Sequence, residues 1–281
     1  MVLIREVHTR LHACSIESCE GNVYFCGTYE LDEETRNRQG EIIAFHNEVP
    51  IHTTICESGV LDMKVAHGKL VTVLSTGKME IYHIARDTTG SSPIVELQLE
   101  TSVSDDEAEG LFLSVDIDKR LDIDCWKVPT RLVVSTQQGS IIIYEYTIGE
   151  SKPHSVGTLN EIHRVSSAHS MMGEDMPAWI AFFDPHCKNR VISGGDDLCL
   201  HVWTLPERDG TDDSCGELTK TSSNRKTHTA GVTSGQWHPT MHNVFATGSY
   251  DESVRVWDVR NLSKPLLEIH TGKRFHSTFN T

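Results

Sequence analysis

Five times along the chain an apolar run ends on an aromatic side chain: GEIIAF at Phe45, GKMEIY at Tyr82, GSIIIY at Tyr144, LCLHVW at Trp203 and ESVRVW at Trp257. Glycine stands five residues before the aromatic in the first three (Gly40, Gly77, Gly139). Four of the five place an aliphatic residue or methionine at the first and third positions before it, namely Met79/Ile81, Ile141/Ile143, Leu200/Val202 and Val254/Val256; the first has Ile42/Ala44. A period of two entered from a tight turn is the signature of a β-strand. A second apolar run precedes each one (NVYFCGT, GKLVTVLS, RLVVST, RVISGG, NVFATGS), so the repeated element is a β-hairpin.

Strands that are apolar on both faces must be covered on both sides. A radial array of small sheets, each packed between two neighbours, achieves this and leaves only short edges. The expected fold is therefore all-β, a β-propeller. The aromatic anchors are 37, 62, 59 and 54 residues apart, more than the roughly 40–45 residues of a minimal blade. Polar, turn-rich stretches absorb the excess: RDTTGSSP, the acidic segment near Asp105, AHSMMGEDMP, and the run from Pro206 to Thr227. The blades are expected at about residues 11–47, 58–86, 110–148, 168–205 and 228–260, with a tail over 261–281, all in one domain.

No apolar run approaches the roughly 18 residues of a membrane span, and the first residues lack the pattern of a secretory leader, so the expected location is the cytoplasm without a membrane partner. The eight cysteines are scattered without a C-x-x-C pair, which argues against both a disulfide framework and a zinc site. The pairs His8/His12 and His238/His242 have i, i+4 spacing, but Pro239 interrupts the second; no metal and no cofactor are expected. A net charge of −15, with acidic runs SDDEAEG and ERDGTDD, repels phosphate backbones and favours a cationic partner over nucleic acid.

In the last repeat His228, Thr247, Asp251 and Trp257 stand at the spacing of the WD-repeat tetrad, and His169, Ser193, Asp197 and Trp203 repeat it. An indole N–H can donate to a hydroxyl, the hydroxyl to imidazole, and the imidazole to a carboxylate at the hairpin turn. These residues read first as structural. Earlier repeats lack most of the network, with Gln138 in place of the turn aspartate.

The combination of AWIAFFDP, SGGDD, HTAGVTSGQWHP and ATGSYDESVRVWDVRNLSKPL with upstream CGTYEL and GVLDMKV resembles the diphthine methylesterase family, WD-repeat proteins of diphthamide biosynthesis. The resemblance implies hydrolysis of the methyl ester of diphthine on elongation factor 2, with that factor as protein substrate and other diphthamide-pathway proteins as further partners. It also implies seven blades, whereas five anchors end at Trp257 with 24 residues left. The chain thus reads as C-terminally truncated, an open arc whose end faces would self-associate and whose activity would suffer.

No G-x-S-x-G elbow is present, and the S-x-x-K matches STGK and SNRK read as loops. The catalytic residues stay unknown, with His228 and Asp251 as candidates. Asp196, Tyr250 and Glu252 flank the tetrad ends at the expected mouth, where acidic and aromatic groups suit the trimethylammonium of diphthine. The competing reading is a non-catalytic WD scaffold for protein–protein interaction.

Overall fold

The computed structural model describes residues 7–87, 93–105, 110–119, 128–148, 157–206 and 217–272. The acidic run at 207–213, most of that at 104–110, most of RDTTGSSP and the end of the tail lie outside the described residues. Every regular element described is a strand. The first sheet contains β1 (His12–Cys19), β2 (Val23–Leu31), β3 (Arg38–His46) and β4 (Val49–Cys56); the second β5 (Val60–Ala66), β6 (Lys69–Leu74), β7 (Lys78–Asp87) and β8 (Ile94–Ser104). The third holds β9 (Phe112–Ile117), β10 (Thr130–Thr136), β11 (Ile141–Thr147) and β12 (Thr158–Val165). After a small hairpin, β13 (Ser170–Met171) and β14 (Glu174–Asp175), come β15 (Ala178–Phe183), β16 (Arg190–Gly195), β17 (Leu200–Thr204) and β18 (Thr219–Asn224). The fifth sheet is β19 (Val232–Trp237), β20 (Val244–Ser249), β21 (Ser253–Asp258) and β22 (Leu267–His270).

Each large sheet is a four-stranded antiparallel meander in chain order. The aromatic anchors all fall on the third strand, and the preceding apolar runs form the second. Each sheet adds a strand on either side of that hairpin, an inner one on the propeller axis and an outer one at the rim. Outer strands are polar or exposed, as in TKTSSN of β18 and the wholly exposed β22. This is the composition that keeps a sheet edge from pairing with other chains.

Four apolar cores lie between successive sheets. Between the second and third, for instance, Val71, Val73, Met79 and Ile81 meet Phe112, Leu132, Val134 and Ile142, all without exposure. Full burial of an aliphatic side chain of this size contributes about 1.5–3 kcal/mol, so these interfaces carry the fold. The other cores join the first sheet to the second, the third to the fourth and the fourth to the fifth. Among the described residues no such core joins the fifth sheet to the first. The outward face of the first sheet keeps its own small cluster of Cys26, Ile43 and Phe45, on which Tyr24 stacks. On the fifth sheet Val254 and Val256 are only half-buried, whereas their counterparts Leu200 and Val202 are buried.

The inner strands are edges whose N–H groups need acceptors. Side chains of one inner strand supply them to the next: Asp62 accepts from Val115 N–H at 3.0 Å, Ser114 from Ala181 at 3.0 Å, and Asp116 from Phe183 at 2.9 Å. The axis of the propeller is therefore walled by polar side chains already tied to backbone, which sets what remains for a ligand.

Candidate functional site

In every large sheet the pairing of inner and second strands skips one residue of the inner strand: Cys14, Leu61, Leu113, Trp179 and Thr233. Such a β-bulge re-aims the unpaired side chain. Leu61, Leu113 and Trp179 line one cavity of about 270 Å³ on the axis, together with Tyr29, Leu111, Gln137, Pro177 and Tyr250. Trp179 is held by a hydrogen bond from its indole N–H to Asp196 Oδ1 at 2.7 Å and meets the Tyr250 ring edge-on at 6.1 Å.

Two glycines make room for this arrangement. A methyl group on Gly231 would lie 2.1 Å from Asp196 Oδ1, and one on Gly59 would lie 2.1 Å from the Tyr29 ring. The result is an apolar cup with three aromatic rings and a carboxylate behind one of them, which is the chemistry that holds a quaternary ammonium. Gly231→Ala should displace Asp196 and release Trp179, at a stability cost of about 1–3 kcal/mol. Titration with tetramethylammonium, followed by indole fluorescence, should show weaker binding than in the parent chain; identical titrations would contradict this construction of the mouth.

Of the three residues expected at the mouth, Tyr250 lines the cavity, Asp196 stands behind Trp179 on its indole N–H, and Glu252 lies outside it. Glu252 occupies the hairpin turn with φ of 64°, its carbonyl accepting the Thr271 backbone N–H at 2.9 Å. His228 is 2% exposed, and neither it nor Asp251 lines this cavity. Trp179 and Tyr29 carry no assignment from sequence, although both lie in stretches that carry the family resemblance.

The fourth-sheet tetrad is made as expected. Trp203 Nε1 donates to Ser193 Oγ at 2.8 Å, the hydroxyl meets His169 Nε2 at 2.7 Å, and His169 Nδ1 meets Asp197 Oδ1 at 2.8 Å. In the fifth sheet the expected last bond is not made. Trp257 Nε1 donates to Thr247 Oγ1 at 2.8 Å and the hydroxyl meets His228 Nε2 at 3.2 Å, but His228 Nδ1 stands 3.7 Å from Asp251. Arg255, paired in register with Thr247, puts Nη1 2.9 Å from His228 Nδ1 and 2.7 Å from Asp251 Oδ2. An arginine carries no acceptor, so His228 Nδ1 accepts, and its proton sits on Nε2. The matching residue in the fourth sheet, opposite Ser193, is His201, whose ring packs against His169 at 4.8 Å between centroids.

Burial holds His201 down to about 4, and burial together with the Arg255 charge does the same to His228. Against its own burial, the hydrogen bond with His169 and the nearby His201 ring, whose Nε2 stands 3.7 Å from Oδ2, hold the Asp197 carboxyl well below the usual carboxylate range. Histidines that are neutral when folded but protonate near 6.5 when unfolded stabilise the protein above pH 6.5. That contribution is lost as the pH falls from 6.5 towards 4. Asp116 works in the opposite direction, since burial raises its carboxyl to about 6 and proton uptake there favours the folded chain between pH 6 and 4. Two histidines outweigh one carboxyl, so thermal melts at pH 5 should lie roughly 5–10 °C below those at pH 7.5. An unchanged midpoint would contradict buried neutral imidazoles.

A second axial cavity of about 460 Å³ is lined by residues from the far ends of the same inner strands, among them Lys64, Asp116, Phe183 and Trp237. The propeller axis thus offers two chemically different sites, an aromatic one where the inner strands begin and a charged one where they end.

The profile of the WD domain, G-beta repeat, matches residues 219–258, from the outer strand β18 of one sheet through β21 of the next. The chain is 30% identical over 275 residues to the diphthine methyltransferase homolog of Dictyostelium discoideum, an alignment covering 88% of this chain and 68% of that protein. The chain belongs to the diphthine methyltransferase family. Family members from Mus musculus and Homo sapiens are 28% and 26% identical over 95% and 94% of this chain, which spans 56% and 60% of their lengths. Among solved structures, that of Chaetomium thermophilum Sqt1 bound to the N-terminus of ribosomal protein L10 superposes with a TM-score of 0.59. The match covers 93% of this chain and 75% of that one, and at 13% identity it shows a shared fold. No helix described in this family member is long and apolar enough to cross a membrane.

Proposed function

We propose that this chain acts in diphthamide biosynthesis as a carboxylic ester hydrolase, converting the methyl ester of diphthine on elongation factor 2 to the free carboxylate and methanol. The aromatic mouth carries this reading. Tyr29, Trp179 and Tyr250, with Asp196 behind Trp179, form a receptor for a trimethylammonium group, and diphthine is a trimethylammonium amino acid. In diphthine the ester carbon is bonded to the carbon that bears the ammonium. A cation seated in the cup therefore holds the scissile carbonyl at its rim, on the side where Asp196 backs Trp179. One Asp196 oxygen accepts the Trp179 N–H; the other is the base assigned to take a proton from the attacking water. The elongation factor is the protein partner, approached in the cytoplasm and without a resident cofactor.

The relatives carry the name methyltransferase, and a non-catalytic WD scaffold that only binds the modified factor would use the same mouth. One experiment separates the three. The chain is incubated without a donor on elongation factor 2 bearing methylated diphthine and, in parallel, with a labelled sulfonium methyl donor on the factor before its methylation. Methanol release without donor supports the hydrolase; label entering the factor only when donor is present supports transfer. Binding with neither product leaves the scaffold.

A further inference from the structure

The charged cavity at the other end of the axis is a separate binding site. Glu17, Lys64 and Asp116 project into it from the first three inner strands, and Phe182 and Trp237 wall it from the fourth and fifth. The Lys64 ammonium has three donors and three acceptors: Glu17 Oε1 at 3.2 Å, Asp62 Oδ1 at 3.2 Å and the Met63 carbonyl at 3.0 Å. It has no donor left for an anion. Glu17 is likewise engaged, its second oxygen accepting the Val65 N–H at 3.4 Å.

Asp116 is different. One of its oxygens accepts the Phe183 N–H at 2.9 Å, and among the described residues no lysine, arginine or histidine stands within ion-pair distance of it. A half-buried carboxylate with no direct ion pair, on which Lys64 and Lys119 act only through space, leaves a place for a cation from outside in this aromatic-walled cavity. Burial pushes the Asp116 carboxyl up to about 6 against the lowering charges of Lys64 and Lys119. About 460 Å³ accommodates a whole basic side chain, and a chain of net charge −15 attracts basic partners generally.

We infer that this cavity receives a lysine or arginine side chain of a protein partner, with Asp116 as its counter-ion, at the end of the axis opposite the aromatic mouth. The site does not depend on the ester hydrolase reading. It predicts a docking contact on a different face of the propeller from the modified residue.

The test is calorimetric titration of the full chain with acetyl-arginine amide and acetyl-lysine amide, with acetyl-norleucine amide as the uncharged control. Saturable binding of at least one basic probe and none of the control is expected; the stronger of the two identifies the side chain. Asp116→Asn keeps an oxygen for the Phe183 N–H and should weaken binding at least roughly tenfold, the value of a charge-assisted hydrogen bond. Tyr250→Ala, at the other mouth, should leave it unchanged. Should Asp116→Asn fail to fold, the parent chain alone decides. At pH 6 a cation binding beside Asp116 must release part of a proton, seen as a heat that depends on the buffer. Glu17, Lys64 and Lys119 are the other ionisable groups lining the cavity. No saturable heat from either basic probe overturns the inference, as does binding indifferent to Asp116→Asn in a variant that melts normally, or binding without proton release.

Discussion

Asp251→Ala is expected to cost about 3–5 kcal/mol of stability, more than loss of an ordinary tetrad carboxylate, because it strands a buried guanidinium. Arg255 is 3% exposed, and Asp251 takes its Nη1 at 3.0 and 2.7 Å while also accepting the backbone N–H groups of Thr229 and Ser253. Without that carboxylate the charge keeps only Glu268 at the surface edge of the sheet. The double variant Asp251→Ala/Arg255→Met removes the charge with its partner and should recover a substantial part of the loss. Trp257→Ala, at a site with no exposure, should cost a similar amount through its cavity. Thermal melts check both. A midpoint for Asp251→Ala within about 1 °C of the parent, or a double variant no better than the single, would contradict the placement of Arg255 inside the network.

The second large effect concerns the aromatic mouth. Trp179→Ala removes the ring that faces Tyr250 and the N–H that orients Asp196. A desolvated cation–π contact is worth about 2 kcal/mol, so affinity for tetramethylammonium should fall roughly 30-fold. Asp196→Asn keeps the shape of the mouth and removes its charge and its base. It should therefore lower kcat for methanol release more than it raises KM, whereas Trp179→Ala should act mainly on KM. Equal effects of the two variants on both constants would deny them separate roles.

These two predictions draw on residues of unequal legibility. The second and third strands of each sheet are plain in the sequence because both of their faces are buried, as in LVTV of β6 and IIIY of β11. The outer strand of the fourth sheet gives no such signal: TKTSSN has neither alternation nor apolar content, and only its pairing with β17 makes it a strand. Asp196 and Tyr250 stand out because each immediately precedes a tetrad aspartate, at the same turn of successive repeats. Trp179 does not, since in AWIAFF it reads as one more apolar residue. The bulge that aims it at the axis appears only when the strand pairing skips it. Arg255 passes in sequence for a polar residue alternating with Val254 and Val256. Its length and charge nonetheless displace the expected bond between His228 and Asp251.

Mass spectrometry of the diphthine-bearing peptide of elongation factor 2 addresses the central claim most directly. The methylated factor is incubated with the chain in the absence of any methyl donor, and the peptide is weighed before and after. The account predicts loss of the mass of one methylene group, as ester becomes acid, with the change absent in the folded Asp196→Asn variant. An unchanged mass with the wild-type chain, or an equal loss with Asp196→Asn, would contradict ester hydrolysis at this mouth.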